Sequence, residues 1–87
     1  MKDAVSIFAG HDLPTIDLHG ISPVQNALEQ LEKELFLSFQ RGEKCCRVIH
    51  GIGSGKLAEA VHAALTKNPM VVEFAEEETG GSCIVRF

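Results

Sequence analysis

The stretch Val48-Ile49-His50-Gly51-Ile52-Gly53-Ser54-Gly55-Lys56 decides the fold. Its start closes the run Lys44-Cys45-Cys46-Arg47-Val48-Ile49-His50, apolar and β-branched enough to be a buried strand. Alternating glycines then turn the chain. Beyond Lys56, residues Leu57, Val61, Ala64 and Leu65 fall on one side of an amphipathic helix, which Asn68-Pro69 ends. A strand that passes through a glycine loop into a helix is half of a strand–helix–strand unit.

Working upstream, Thr15 to Leu18 reads as a short strand. A long helix follows. Ser22 suits its N-cap, Pro23 its first position, and Gln25 completes an S-x-x-Q capping box. Val24, Leu28, Leu31, Leu35 and Phe39, with Ala27 beside them, form its core stripe, while Glu29, Glu32, Lys33 and Gln40 face water. Gly42 suits the C′ position that stops the helix. Downstream, Met70 to Glu76 reads as a third strand, Glu78-Thr79-Gly80-Gly81 as a turn, and Ser82 to Phe87 as a fourth strand. The order βαβαββ predicts an α/β protein: a two-layer sandwich with a four-stranded mixed sheet and both helices on one face. The two strand–helix–strand units should place parallel strands side by side through right-handed crossovers. The short last connection predicts a fourth strand antiparallel to the third. Residues 14–87 then form one domain, preceded by a leader, 1–13, expected to dock through Val5, Ile7 and Phe8.

Eighty-seven residues, 45% of them apolar, suffice for one core. The net charge of −4 argues against wrapping nucleic acid with the whole surface. The charge is uneven, however. Arg41, Lys44, Arg47 and Lys56 share a stretch with one anion, Glu43, while Glu73 to Glu78 holds four glutamates and no cation. The three cysteines form no C-x-x-C pair. Cys45 and Cys46 are adjacent, so on a strand they face opposite ways and cannot chelate one ion together. A reduced, cytoplasmic protein is expected. Nothing approaches the roughly 18–20 apolar residues of a membrane span, so no membrane partner is expected. His11 falls in the leader, His62 falls mid-helix in a solvent-facing or packing role, and the histidines and cysteines lack the spacing of a zinc site.

One constellation carries chemistry. If the first two strands are parallel, Asp17-Leu18-His19-Gly20 and His50-Gly51 lie at one sheet edge, where open α/β sheets bind ligands. Both imidazoles should then face a common crevice. The glycine loop feeds a helix N-terminus, and Lys56 adds a cation, so a phosphate fits. The run is neither a P-loop nor a Rossmann fingerprint, since the spacing fails both, and no nucleotide cofactor is expected. Asp17 and His19 alternate along a strand and share a face. The carboxylate either binds a divalent cation, orients the imidazole for proton transfer, or simply caps a turn.

Together, Ile16-Asp17-Leu18-His19-Gly20, the capped helix, Val48 to Leu57 and the closing Gly80-Gly81-Ser82-Cys83-Ile84-Val85-Arg86-Phe87 resemble the Smr (small MutS-related) domain over residues 14 to 87. The L-D-x-H motif maps onto Ile16 to His19, with isoleucine in place of leucine. The H-G-x-G motif maps onto His50 to Gly53 and extends to Gly55. The C-terminal glycine pair maps onto Gly80-Gly81, after which this chain departs from the family's G-x-T pattern. The resemblance implies a sandwich like the C-terminal domain of bacterial translation initiation factor three, with the fourth strand inside the sheet. It also implies nucleic-acid binding and, in several members, endonuclease activity on DNA or RNA.

Three readings follow. In the first, a nuclease assisted by Mg²⁺ or Mn²⁺ uses Asp17 as metal ligand or orienting group and His19 as acid or base. His50, Gly51, Gly53, Ser54, Gly55, Lys56 and Arg47 hold the phosphate, with His50 also counted among the catalytic groups. In the second, the same anion site binds nucleic-acid structures or junctions without cleavage. In the third, the open sheet face or the acidic segment binds a protein. The chain is either a whole protein or a domain of a larger polypeptide.

Overall fold

The computed structural model describes residues 13–87, and the expected leader lies outside the described residues except for Leu13. Four strands and two helices alternate as expected: β1 (Thr15–Asp17), α1 (Val24–Gln40), β2 (Cys45–Ile49), α2 (Lys56–Lys67), β3 (Glu73–Glu76) and β4 (Ser82–Arg86).

The sheet order is β1-β2-β4-β3. β1 runs parallel to β2, and β4 is antiparallel to both β2 and β3. The two strand–helix–strand units alone would set β2 and β3 side by side; the structure inserts β4 between them, inside the sheet as the resemblance implied. Burial explains the insertion. Ser82, Cys83, Ile84 and Val85 of β4 are all buried, so this strand needs cover on both faces. β3 carries Glu73 and Glu76 and sits at the edge, where charge discourages pairing with another chain.

One face of the sheet receives both helices. Ile16, Cys46, Val48, Cys83 and Val85 from the strands pack with Ala27, Leu31 and Leu35 of α1 and Val61 and Leu65 of α2. Their neighbours in sequence point to the other face, where Cys45, Ile84 and Leu13 form a small second cluster. Cys45 and Cys46 therefore do face opposite ways. All three cysteines are free thiols, and burial pushes those of Cys46 and Cys83 up to about 12.

The start of α1 differs from expectation. Pro23, with extended backbone, occupies the N-cap position, and no side chain caps the helix. Ser22 thus lies one residue too early for a capping box. Instead the Asn26 amide donates to the Pro23 carbonyl at 2.9 Å. The stripe is also narrower than the periodicity implied: Ala27, Leu31, Leu35 and Ser38 are buried, whereas Phe39 is 49% exposed and touches the Phe87 ring edge-on. The end of α1 matches expectation in detail. Gly42 has φ +77°, its amide donates to the Phe39 carbonyl, and the Glu43 amide donates to the Ser38 carbonyl. That pair of bonds is a Schellman motif, which needs the left-handed residue that glycine supplies.

β3 is shorter than expected. The Asn68 side chain accepts the Met70 amide at 2.8 Å, and its carbonyl accepts the Val71 amide at 3.2 Å. This turn uses residues 70 and 71 before the strand can begin. No helix among the described residues is long and apolar enough to cross a membrane.

Candidate functional site

Parallel pairing of Asp17 with Ile49 brings the ends of β1 and β2 together. The Leu18 amide extends the ladder by donating to the Ile49 carbonyl at 2.7 Å. The next residues, His19 and Gly51, come so close that a Cβ on Gly51 would lie 3.2 Å from the His19 Cβ. Gly51 also has φ +82°, so both space and conformation call for glycine. The amides of His50 and Gly51 donate to one acceptor, the Gly81 carbonyl, at 3.0 and 2.9 Å. The β2 loop is thereby fixed to the entry of β4.

His19 and Asp17 form a dyad on the outer side of this edge. Asp17 Oδ1 accepts the His19 amide at 3.1 Å and stands 2.5 Å from Nδ1. A carboxylate only accepts, so Nδ1 carries a proton and Nε2 of the neutral ring holds a lone pair directed away. The hydrogen bond from the His19 ring is the main reason the Asp17 carboxyl sits below its ordinary value. This geometry combines the turn-capping and orienting readings of Asp17, and both side chains stay accessible, at 65% and 50% for His19 and Asp17.

A crevice of about 490 Å³ opens beside the dyad, between the start of α1 and the start of α2. His19, Gly20 and Ser22 line one side, and Gly53, Gly55 and Lys56 the other. Among the described residues, the amides of Gly53, Ser54 and Gly55 donate to no protein acceptor. Gly55 caps α2 in the left-handed conformation, at φ +87°. The loop therefore presents unpaired N–H groups, a helix N-terminus and an ammonium group to one volume.

The family described as Smr domain matches residues 16–86. The chain belongs to the Smr domain family. It is 46% identical over 70 residues to an endonuclease MutS2 of Aquifex aeolicus, a match covering 78% of this chain and 9% of that protein. It is 38% identical over 68 residues to a ribosome rescue factor SmrB of a Shewanella species, covering 76% of this chain and 38% of that protein. The chain thus spans only a small part of the length of these relatives. The crystal structure of the Smr domain of Thermus thermophilus MutS2 has a TM-score of 0.79 and 29% identity, with 85% of this chain and 96% of that one covered.

Within this Smr domain, His50 lines the crevice together with His19, but its imidazole does not open into it as expected. β2 alternation turns its ring to the helix side of the sheet, and the side chain is fully buried. Nδ1 donates to the Gly51 carbonyl at 2.8 Å, and Nε2 lies 2.9 Å from Glu76 Oε2. The same oxygen lies 2.6 Å from His62 Nε2. Burial opposes ionisation of Glu76, yet the bonds from both histidines outweigh it and hold the carboxyl below its ordinary value. His62 does pack, against Phe74 and edge-on to the His50 ring. Cys83 adds a fourth donor: these four ligand atoms all lie within 4.8 Å of one another. Spacing along the chain hid this cluster because it draws on the end of β2, on α2, on β3 and on β4; the cross-strand register Glu76↔Cys83 brings two of its members together.

Arg47 sits away from the crevice. It points to the opposite sheet face, into a shallower hollow shared with Asp17, His19 and Thr79. There it makes a two-nitrogen ion pair with Glu77, which lowers the Glu77 carboxyl. Arg41 pairs with Glu43. Two of the four cations of the basic stretch are therefore paired with carboxylates, and Lys56 is the cation of that stretch that lines the crevice. The acidic run is similarly engaged, with Glu73 on Arg86, Glu77 on Arg47 and Glu76 on the two histidines.

Proposed function

We propose that this Smr domain binds a phosphodiester of DNA or RNA in the crevice and cleaves it, with Asp17 and His19 handling the proton. The observation that carries this reading is the accessible dyad beside a loop of unpaired amides. His19 Nε2 takes a proton from the attacking water while Asp17 holds Nδ1 and stabilises the resulting imidazolium. The amides of Gly53, Ser54 and Gly55 and the Lys56 ammonium meet the non-bridging oxygens, where negative charge must be offset. His50 supports the loop from beneath through its bond to Gly51, a positioning role. The names of the relatives, an endonuclease and a ribosome rescue factor, support nucleic acid as the substrate class.

Mg²⁺ or Mn²⁺ fits this site only in part. Oδ1 of Asp17 is engaged by His19, leaving Oδ2 as the donor at the dyad. Mg²⁺ commonly binds through one or two carboxylates plus substrate phosphate, and such an ion would neutralise phosphate charge. The direct test is incubation with supercoiled plasmid, single-stranded DNA and structured RNA, with Mg²⁺, Mn²⁺ or chelator. Cleavage should vanish in His19→Ala and fall in Asp17→Ala. Equal cleavage by the double variant would remove the catalytic assignment.

The exposure of the dyad favours a second reading, a binding module that uses the same anion site without chemistry. Water has free access to both side chains, whereas many hydrolytic sites enclose their reacting groups. Salt-sensitive binding with no cleavage on any substrate would select it.

A further inference from the structure

The cluster beneath the loop has a proton count that needs explaining. His50 Nδ1 faces a backbone carbonyl, which only accepts, so this nitrogen donates. A neutral ring then has its lone pair on Nε2, pointed at Glu76 Oε2 2.9 Å away. His62 Nε2 approaches the same oxygen. A neutral His62 carries its proton on Nε2 and donates, but at His50 a lone pair and a carboxylate meet where a positive species belongs. Either protons or a metal ion can supply it.

We propose that His50 Nε2, His62 Nε2, Glu76 Oε2 and Cys83 Sγ form a structural site for a zinc-class divalent ion. The donor set is two imidazoles, a carboxylate and a thiolate, the combination that tetrahedral zinc takes and that magnesium does not. Metal-bound histidines usually donate their second ring nitrogen to a carbonyl or carboxylate, and His50 already does so to Gly51. All four donor atoms lie within 4.8 Å of one another, against about 3.3–3.8 Å around tetrahedral zinc. Small side-chain movements reach that spacing: the more distant donors draw together, and Glu76 moves back from the two nitrogens it now touches. The buried ligands His50 and Cys83 form the floor, while the partly exposed His62 and Glu76 leave a path for the ion. On binding, the Cys83 thiol loses its proton to solvent and bonds to the metal as thiolate. The ion would tie β2, α2, β3 and β4 together immediately below Gly51. It is separate from any Mg²⁺ or Mn²⁺ at Asp17, and its test does not depend on cleavage.

The experiment uses the full 87-residue chain, stripped of metal with chelator and titrated with Zn²⁺ in competition with a chromophoric chelator. Co²⁺ serves as the spectroscopic probe. One equivalent should bind, with tetrahedral Co²⁺ absorption and a thiolate-to-cobalt charge-transfer band. Cys83→Ser should abolish that band. Because Cys83 is buried and its replacement could unfold the chain, His62→Ala provides the second arm at a half-exposed position. It should weaken Zn²⁺ at least about tenfold, the smallest loss typical even for an outer partner of a metal ligand. Asp17→Ala should leave Zn²⁺ affinity unchanged. Failure to bind one equivalent, or binding that ignores both His62→Ala and Cys83→Ser, overturns the proposal and leaves a proton as the shared species.

Discussion

Gly51→Ala tests whether the two strand tips are held by direct contact or merely lie near each other. Gly20 provides the matched control. Both glycines are left-handed, at φ +77° for Gly20 and +82° for Gly51, but a Cβ on Gly20 meets nothing within 4 Å. Gly20→Ala should therefore cost only the backbone strain, about 1–2 kcal/mol. Gly51→Ala carries that strain plus a contact at 3.2 Å with the His19 Cβ, so one of the two strand tips must shift by a few tenths of an ångström. Overpacking of this kind adds roughly 1–3 kcal/mol. At about 4–8 °C per kcal/mol for a domain of this size, Tm should fall by roughly 4–16 °C in Gly20→Ala. Gly51→Ala should fall clearly further. Thermal unfolding by circular dichroism reads the difference, and NMR of the His19 ring reads the displacement. Equal Tm values for the two variants, with His19 resonances unmoved in Gly51→Ala, would refute the close-contact argument.

Lys56→Ala should weaken nucleic-acid binding on every sequence and reduce the slope of log K against log salt by about 0.7–0.9, measured by fluorescence anisotropy. The Asp17 carboxyl should titrate below 3.8 by NMR and return toward it in His19→Ala. Because its folded value is depressed, its stabilising effect is present above the unfolded value and is lost as pH falls through the folded one. Cys46 and Cys83, with thiols pushed up to about 12, should resist alkylation at pH 8 in the native state and react once the chain is unfolded in urea.

Periodicity and glycine placement made most of the fold legible. The long helix, its stop at Gly42 and the parallel tips of β1 and β2 depend on residues near one another in sequence. The position of β4 does not follow from the element order, because a strand's neighbour is chosen by burial on both faces. The capping box failed because helix entry depends on one residue's backbone, and Pro23 takes the position offered to Ser22. At the site, Asp17 and His19 were readable because strand alternation alone puts them on one face. The direction of the His50 ring was not readable from the motif around it. The same alternation that turns Ile49 outward turns His50 beneath α2, where Glu76 and His62, distant in sequence, receive it. Arg47 looked available because its partner, Glu77, lies thirty residues on.

The Gly81 carbonyl, held by two consecutive amides, works as a pin between the hairpin and the glycine loop. A change in hairpin length that slides β4 by a residue would drag that oxygen away and release the loop some thirty positions earlier in the chain. Length changes confined to the tip, around Glu78 to Gly80, would leave the pin seated. The region where such a chain can vary its length and the region where it cannot are therefore only a residue or two apart.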